Sequence, residues 1–353
     1  MSPLGTSLRR LKAAEVPAIR RDPVDAKARV VAEEIVNAVK AEGEAAVRRY
    51  AEKFGEIERG AKLLYTRDAE LKTAYESISE EDRACLLRTA ARIRAFAAAQ
   101  AASIREITVP IPGGEAGHTI APVEAAGCYA PGGRYPLPST VLMTAVTARV
   151  AGCPRVVVAS PKPSTMTLAA AYVAEADVLL PIGGAHGIAT LAYGAAGVVE
   201  ACDAVVGPGN AYVTAAKSLV AGRVAIDFLA GPSECLVIAD DAASPSVVAK
   251  DLLAQAEHDP QATPALVCLS EAFAAAVDHE IAAELAQLPT AEIARVALQK
   301  NGCAAPLPRA LSPGVQCGQR VGLGGRGGEV AWRRRVRWRT TSHDLACAGL
   351  APF

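Results

Sequence analysis

A chain of 353 residues with 51% hydrophobic and 21% charged content is long enough for two or three domains, can bury a large core, and reads as an ordinary soluble globular protein. Lys+Arg and Asp+Glu both number 37, so the whole-chain balance gives no argument for a nucleic-acid or membrane-surface partner. The charge is unevenly spread, because residues 303–353 hold 8 arginines against only Glu329 and Asp344, leaving an acidic body and a basic tail.

The N-terminal segment has no apolar core like that of a signal peptide, and no uncharged apolar run reaches about 18 residues anywhere. The cysteines are scattered singly, with no CxxC pair, which fits reduced thiols. The reading is a cytoplasmic protein without disulfides.

In chain order, the first hundred residues look helical. "DAKARVVAEEIVNAVKAEG" starts at a capping Asp25 and stops at Gly43, and "SEEDRACLLRTAARIRAFAAAQ" starts at Ser79 with Asp82 three residues on. From residue 120 short β-branched runs take over: "RVVVAS", "ADVLLPIGG", "DAVVGPGN", "VAIDFLAGP" and "CLVIADD", each followed by an Ala-rich helical segment. That alternation predicts a parallel α/β sheet. A further helix, "PSVVAKDLLAQAEHD", the strand "PALVCLS" and helices through "AEIARVALQKNG" complete the patterned part. After Cys303 the style breaks into glycine clusters, both tryptophans and the run "RRRVRWR", with nothing that reads as a packed element.

Glycine-rich turns between strand and helix are where α/β sheets bind phosphates, since free N–H groups at the helix start face outward. Three qualify: "CYAPGGRYPLPST" (128–140), "PIGGAHGIAT" (181–190) and "VGPGNAYVTAAK" (206–217). Three in succession point to a nucleotide site on one face. The literal G-x-G-x-x-G at 322–327 is rejected because no strand precedes it and no helix follows. Gln255 and His258, three apart near a helix end, share a face and would supply half of a metal site.

Together "CYAPGGRYPLPSTVLMTAVTARVAG", "GGAHGIATLAYG", "VGPGNAYVTAAK", "DFLAGPSECLVIAD" and "DLLAQAEHD", in this order and spacing, resemble histidinol dehydrogenase, densely from about residue 25 to 303. The resemblance implies a zinc-dependent homodimeric enzyme that uses two NAD to oxidise L-histidinol, through the aldehyde, to L-histidine. It implies NAD contacts at Tyr129, Asn210 and His186, the last standing where the family usually has glutamine. It also implies substrate contacts at Ser233, Gln255 and His258, the last two doubling as zinc ligands. The family's other two zinc ligands and its adjacent Glu-His base pair lie in a C-terminal segment resembling "APEHL", which this chain does not contain. No catalytic residue is therefore assigned, and the activity of the chain as written is expected to be impaired, most simply through a reading-frame change near residue 303.

Two alternatives stand beside this reading. One is a paralogous zinc and NAD dehydrogenase for another small hydroxy compound. The other is a non-catalytic remnant whose basic tail binds a polyanion. The expected architecture is α/β with two Rossmann-like domains on parallel sheets, one inserted in the other. They are a discontinuous domain of 25–128 plus 233–303 and an inserted NAD-binding domain of 129–232, flanked by an N-terminal arm (1–24) and an irregular tail (304–353).

Overall fold

The computed structural model describes residues 7–12, 15, 23–132, 136–230 and 232–307. Its elements, in chain order, are β1 (Arg9–Arg10), α1 (Ala26–Glu42), α2 (Glu44–Lys53), β2 (Tyr65–Thr66), α3 (Lys72–Ser77), α4 (Glu80–Ala101), β3 (Ile107–Ile111) and β4 (Gly114–His118). There follow β5 (Ala125–Tyr129), α5 (Pro138–Val150), β6 (Arg155–Ala159), α6 (Thr165–Val173), β7 (Val178–Leu180), α7 (Gly184–Tyr193), β8 (Ala204–Val206), α8 (Ala211–Val220) and β9 (Ala225–Ile226). The chain continues through β10 (Glu234–Ala239), α9 (Pro245–Ala256), β11 (Thr263–Cys268), α10 (Glu271–Leu285), α11 (Ala291–Asn301) and β12 (Cys303–Pro306).

The helix starts follow from local chemistry. Asp25 accepts from the Ala28 amide and Ser79 from the Asp82 amide, each satisfying a first-turn donor that has no partner inside the helix. Gly43 ends α1 at φ 57°, returning its own N–H to the Val39 carbonyl.

Contacts divide the chain into two compact units, Asp22–Gly231 and Met1–Arg21 with Pro232–Phe353. The first is built on a six-stranded sheet of order β2-β7-β6-β5-β8-β9, parallel except for β2, which pairs antiparallel with β7. Its strands are apolar on both faces, and the period of two sorts them cleanly. Ala125, Tyr129, Val157 and Ala159 enter a core with α1, α2, α7 and α8, while Ala126, Cys128, Val156 and Val158 enter a second core with α4, α5 and α6. Gly127 lets α7 close on β5, because a Cβ there would stand 3.1 Å from Leu191. The β3–β4 hairpin is a separate two-stranded sheet, exposed along its length.

The second unit holds a parallel four-stranded sheet of order β1-β12-β11-β10, with α9, α10 and α11 covering one face around Leu252, Leu266, Phe273 and Leu298.

The α/β class with parallel sheets is as expected, but the division differs from the sequence reading. Residues 25–128 pack with 129–231 rather than with 233–303, because α1 and α2 bury Ile35, Val39 and Val47 in the core under β5 and β6, and β2 joins that sheet at its edge. The N-terminal arm supplies β1, and regular structure runs past Cys303 as β12, both in the second sheet. The tail from residue 308 onward, with its arginine run and the glycine motif at 322–327, lies outside the described residues.

Candidate functional site

In the six-stranded sheet β5, β6 and β7 step one way and β8 and β9 the other, so the strand order reverses between β5 and β8. Ligands of doubly wound sheets sit outside the carboxyl ends of the strands at such a reversal. A cavity of about 610 Å³ lies there, lined by the loops after β5, β6, β7 and β8 together with Val31, Ile35, Phe54 and Glu56 from the helical segment. That volume is in the usual range for a small-molecule or cofactor site. Tyr129, His186 and Asn210, far apart in sequence, all line it.

Each of these side chains is fixed by specific bonds. Tyr129 closes β5, and its phenol oxygen accepts from the Gly184 amide at 3.1 Å. Burial pushes its pKa up to about 12, reinforced by the charge of Glu56 and opposed by that amide, so the phenol keeps its proton at neutral pH and has it available to donate. His186 is fully buried in α7, with Nε2 2.8 Å from Glu56 Oε2 and its ring 5.6 Å from that of Phe54. Glu56 Oε2 also accepts from the Gly183 amide at 3.0 Å. With a carboxylate on Nε2, that nitrogen is the donor, and Nδ1 is left buried with no partner among the described residues. Asn210 caps α8 through Oδ1, which accepts from Tyr212 and Val213, leaving its NH2 group for a ligand.

The glycine turn before α8 is held by a buried ion pair. Lys217 in α8 donates to the Gly207 carbonyl at 3.0 Å and pairs with Asp227 Oδ1, while Asp227 Oδ2 accepts from the Gly207 amide at 2.8 Å. Gly207 sits at φ 117°, and a Cβ on it would collide with the Tyr129 carbonyl, so only glycine lets the turn lie against β5.

Sequence reasoning missed Glu56, which stands 130 positions from His186, and the whole loop after β6, Ser160 to Ser164. The signal for that loop was present as "ASPKPST" between a strand and a helix. It carries prolines and a lysine where glycines were sought.

Ser233, Gln255 and His258 belong to the other unit. Ser233 is exposed just before β10, and its carbonyl accepts from the Thr263 amide at 3.1 Å. Gln255 is half-buried in the last turn of α9, and His258 is exposed just beyond it, its amide reaching the Gln255 carbonyl at 3.3 Å. Among the described residues no group of three or more His, Cys, Asp and Glu is placed to hold a metal ion. Structural zinc sites take four ligands and catalytic ones three plus water. The described residues do not make up that donor set. The NAD expectation fits better: a cavity at the strand reversal, helix N-termini facing it, and in its wall a buried ring nitrogen, His186 Nδ1, with no partner among the described residues.

These features define a doubly wound α/β protein with a nucleotide-type cavity at its topological switch point. The histidinol dehydrogenase family model matches residues 19–310. The chain belongs to the histidinol dehydrogenase family. It is 45% identical over 271 residues to the histidinol dehydrogenase of Thermus thermophilus, covering 76% of this chain and 64% of that protein. It is 41% identical over 298 residues to that of Caulobacter vibrioides, covering 84% and 69%. The crystal structure of the Elizabethkingia anophelis enzyme superposes with a TM-score of 0.75 at 29% identity, over 85% of this chain and 71% of that one. The chain thus spans about two thirds of the length of the curated relatives it matches. No helix among the described residues is long and apolar enough to cross a membrane.

Proposed function

We propose that the unit Asp22–Gly231 is the NAD-binding part of a histidinol dehydrogenase, which acts in the cytoplasm as a homodimer on L-histidinol and yields L-histidine through L-histidinaldehyde. The observation that carries this reading is the convergence of Tyr129, His186 and Asn210 on one cavity at the strand reversal. NAD, when bound, would accept the hydride from the alcohol carbon. Tyr129 donates its phenol proton to a cofactor acceptor, Asn210 offers its NH2 group, and His186 Nδ1 takes the hydrogen bond it lacks in the free protein. Burying His186 Nδ1 without a partner costs free energy, and a polar ligand recovers it. Ser233, Gln255 and His258 are assigned to the substrate side by family resemblance, with Gln255 and His258 contributing to zinc binding.

The test is calorimetric titration of NAD into the full chain, with NADH absorbance on adding L-histidinol as the readout of turnover. Tyr129→Phe and Asn210→Ala are each expected to weaken NAD binding by about tenfold, the size of one hydrogen bond. Native chain that takes up no NAD at millimolar concentration would sink the reading.

A further inference from the structure

Glu56 belongs to no motif, yet its carboxylate meets His186 across 130 positions of sequence. The stretch that carries it is fixed at its root: α2 ends at Phe54, Gly55 turns at φ 62°, and the Glu56 amide returns to the Ala51 carbonyl at 2.8 Å. The side chain is 11% exposed in the cavity wall, and a single oxygen, Oε2, faces both the Gly183 amide and His186 Nε2. A carboxylate can only accept, so it holds the proton of the neutral ring on Nε2 and leaves Nδ1 as a bare lone pair.

The ring cannot turn away from this arrangement, because it is completely buried and flanked by Phe54 and Tyr50 with ring centroids at 5.6 and 6.2 Å. Nδ1, without a partner among the described residues, lies beside Gly184, where a Cβ would stand 3.6 Å from it. A buried nitrogen left unpaired is uncommon and points to a hydrogen supplied from outside the chain. Tyr129 and Asn210 present donors to the same cavity, a phenol proton and an NH2 group, and His186 presents the acceptor. With its proton on the other nitrogen all three would be donors, and an N–H or O–H of a ligand would meet another N–H.

We propose that Glu56 is a positioning residue for cofactor binding: by keeping the proton on His186 Nε2, it makes Nδ1 the acceptor for an N–H or O–H of the nucleotide. The proposal rests on the NAD reading above and names the residue through which His186 serves it. NAD carries such hydrogens on its carboxamide, its adenine amine and its ribose hydroxyls. Glu56→Ala removes the acceptor that selects the tautomer, whereas Glu56→Gln keeps an oxygen able to accept from both Gly183 and His186.

The experiment reads the ring nitrogens by 15N NMR of the full chain labelled at histidine, with His186→Ala to assign the resonance, and NAD affinity by calorimetry, with thermal unfolding as the folding control. The native chain and Glu56→Gln should show Nε2 protonated and Nδ1 bare, and Glu56→Ala a mixture of tautomers. NAD affinity should fall about tenfold in Glu56→Ala, the size of one hydrogen bond, and stay near native in Glu56→Gln. In a His186→Ala background, adding Glu56→Ala should change affinity by less than about twofold, because the carboxylate acts through the ring. Titration of AMP and nicotinamide mononucleotide locates the donor: a loss in Glu56→Ala confined to one assigns it to that half, and a loss in both to a ribose hydroxyl. A proton on Nδ1 in the native chain, unchanged NAD affinity in Glu56→Ala, or an equal loss in both backgrounds overturns the positioning role while leaving NAD binding intact. A native chain that binds no NAD overturns the cofactor reading and the role of Glu56 with it.

Discussion

Replacing Lys217 by methionine keeps the length and apolar stem of the side chain and deletes its charge. The native ammonium, in a side chain 2% exposed, faces Asp227, whose side chain is 22% exposed, so neither charge is well solvated. Removing one member of a buried pair costs about 3–5 kcal/mol, chiefly because the other charge is left without its counterion. Asp227 would retain the Gly207 and Phe228 amides, each at 2.8 Å, which places the cost at the lower end, about 3 kcal/mol. The double variant Lys217→Met/Asp227→Asn leaves no orphaned charge and should recover at least about 1 kcal/mol of that loss. The assay is urea unfolding followed by far-UV circular dichroism, with the transitions of the two compact units fitted separately, since a chain built this way need not unfold in one step. A loss below about 1 kcal/mol in Lys217→Met, or a double variant as unstable as the sum of the two single ones, would refute the reasoning.

Two further outcomes follow from the same geometry. Burial pushes the thiols of Cys128 and Cys202 up to about 12 from 9.0, so the folded chain holds protons that the unfolded chain has already released. Stability should fall as pH rises from about 9 towards 12, by up to roughly 4 kcal/mol per thiol; a urea midpoint unchanged between pH 8 and 10.5, or a pH profile identical in Cys128→Ala, would contradict this. Asn210→Ala removes the acceptor of the Tyr212 and Val213 amides and should destabilise α8 by about 1 kcal/mol, measured as a lower urea midpoint for that unit.

What could be read from the sequence was what is decided within a few residues. Asp25 and Ser79 announce helices because a cap bonds an amide three positions on, and both helices begin where expected. The strands in "RVVVAS", "DAVVGPGN" and "PALVCLS" declare themselves through β-branched runs, and β6, β8 and β11 occupy them. Glycine drew attention to three of the four turns around the cavity, since it marks places where a backbone must come close to something else. The fourth turn lines the cavity with serines, prolines and a lysine, none of which glycine advertises. Glu56 could not be found from sequence, because its partners at Gly183 and His186 are brought to it only by the packing of the α2 segment on α7. The unit boundary was misplaced for a similar reason: nothing in α1 states which sheet it will cover.

The edge strand β1 carries a consequence for how the chain is made. Arg9 and Arg10 pair with Cys303 and Ala304, so this strand cannot find its neighbour until nearly three hundred more residues have been synthesised. Meanwhile the unit Asp22–Gly231 has all its strands and can close around its own sheet as it emerges. The second unit is therefore the late one. Until β12 arrives, β11 presents an open row of main-chain donors and acceptors to the cell, and β1 has no strand to pair with.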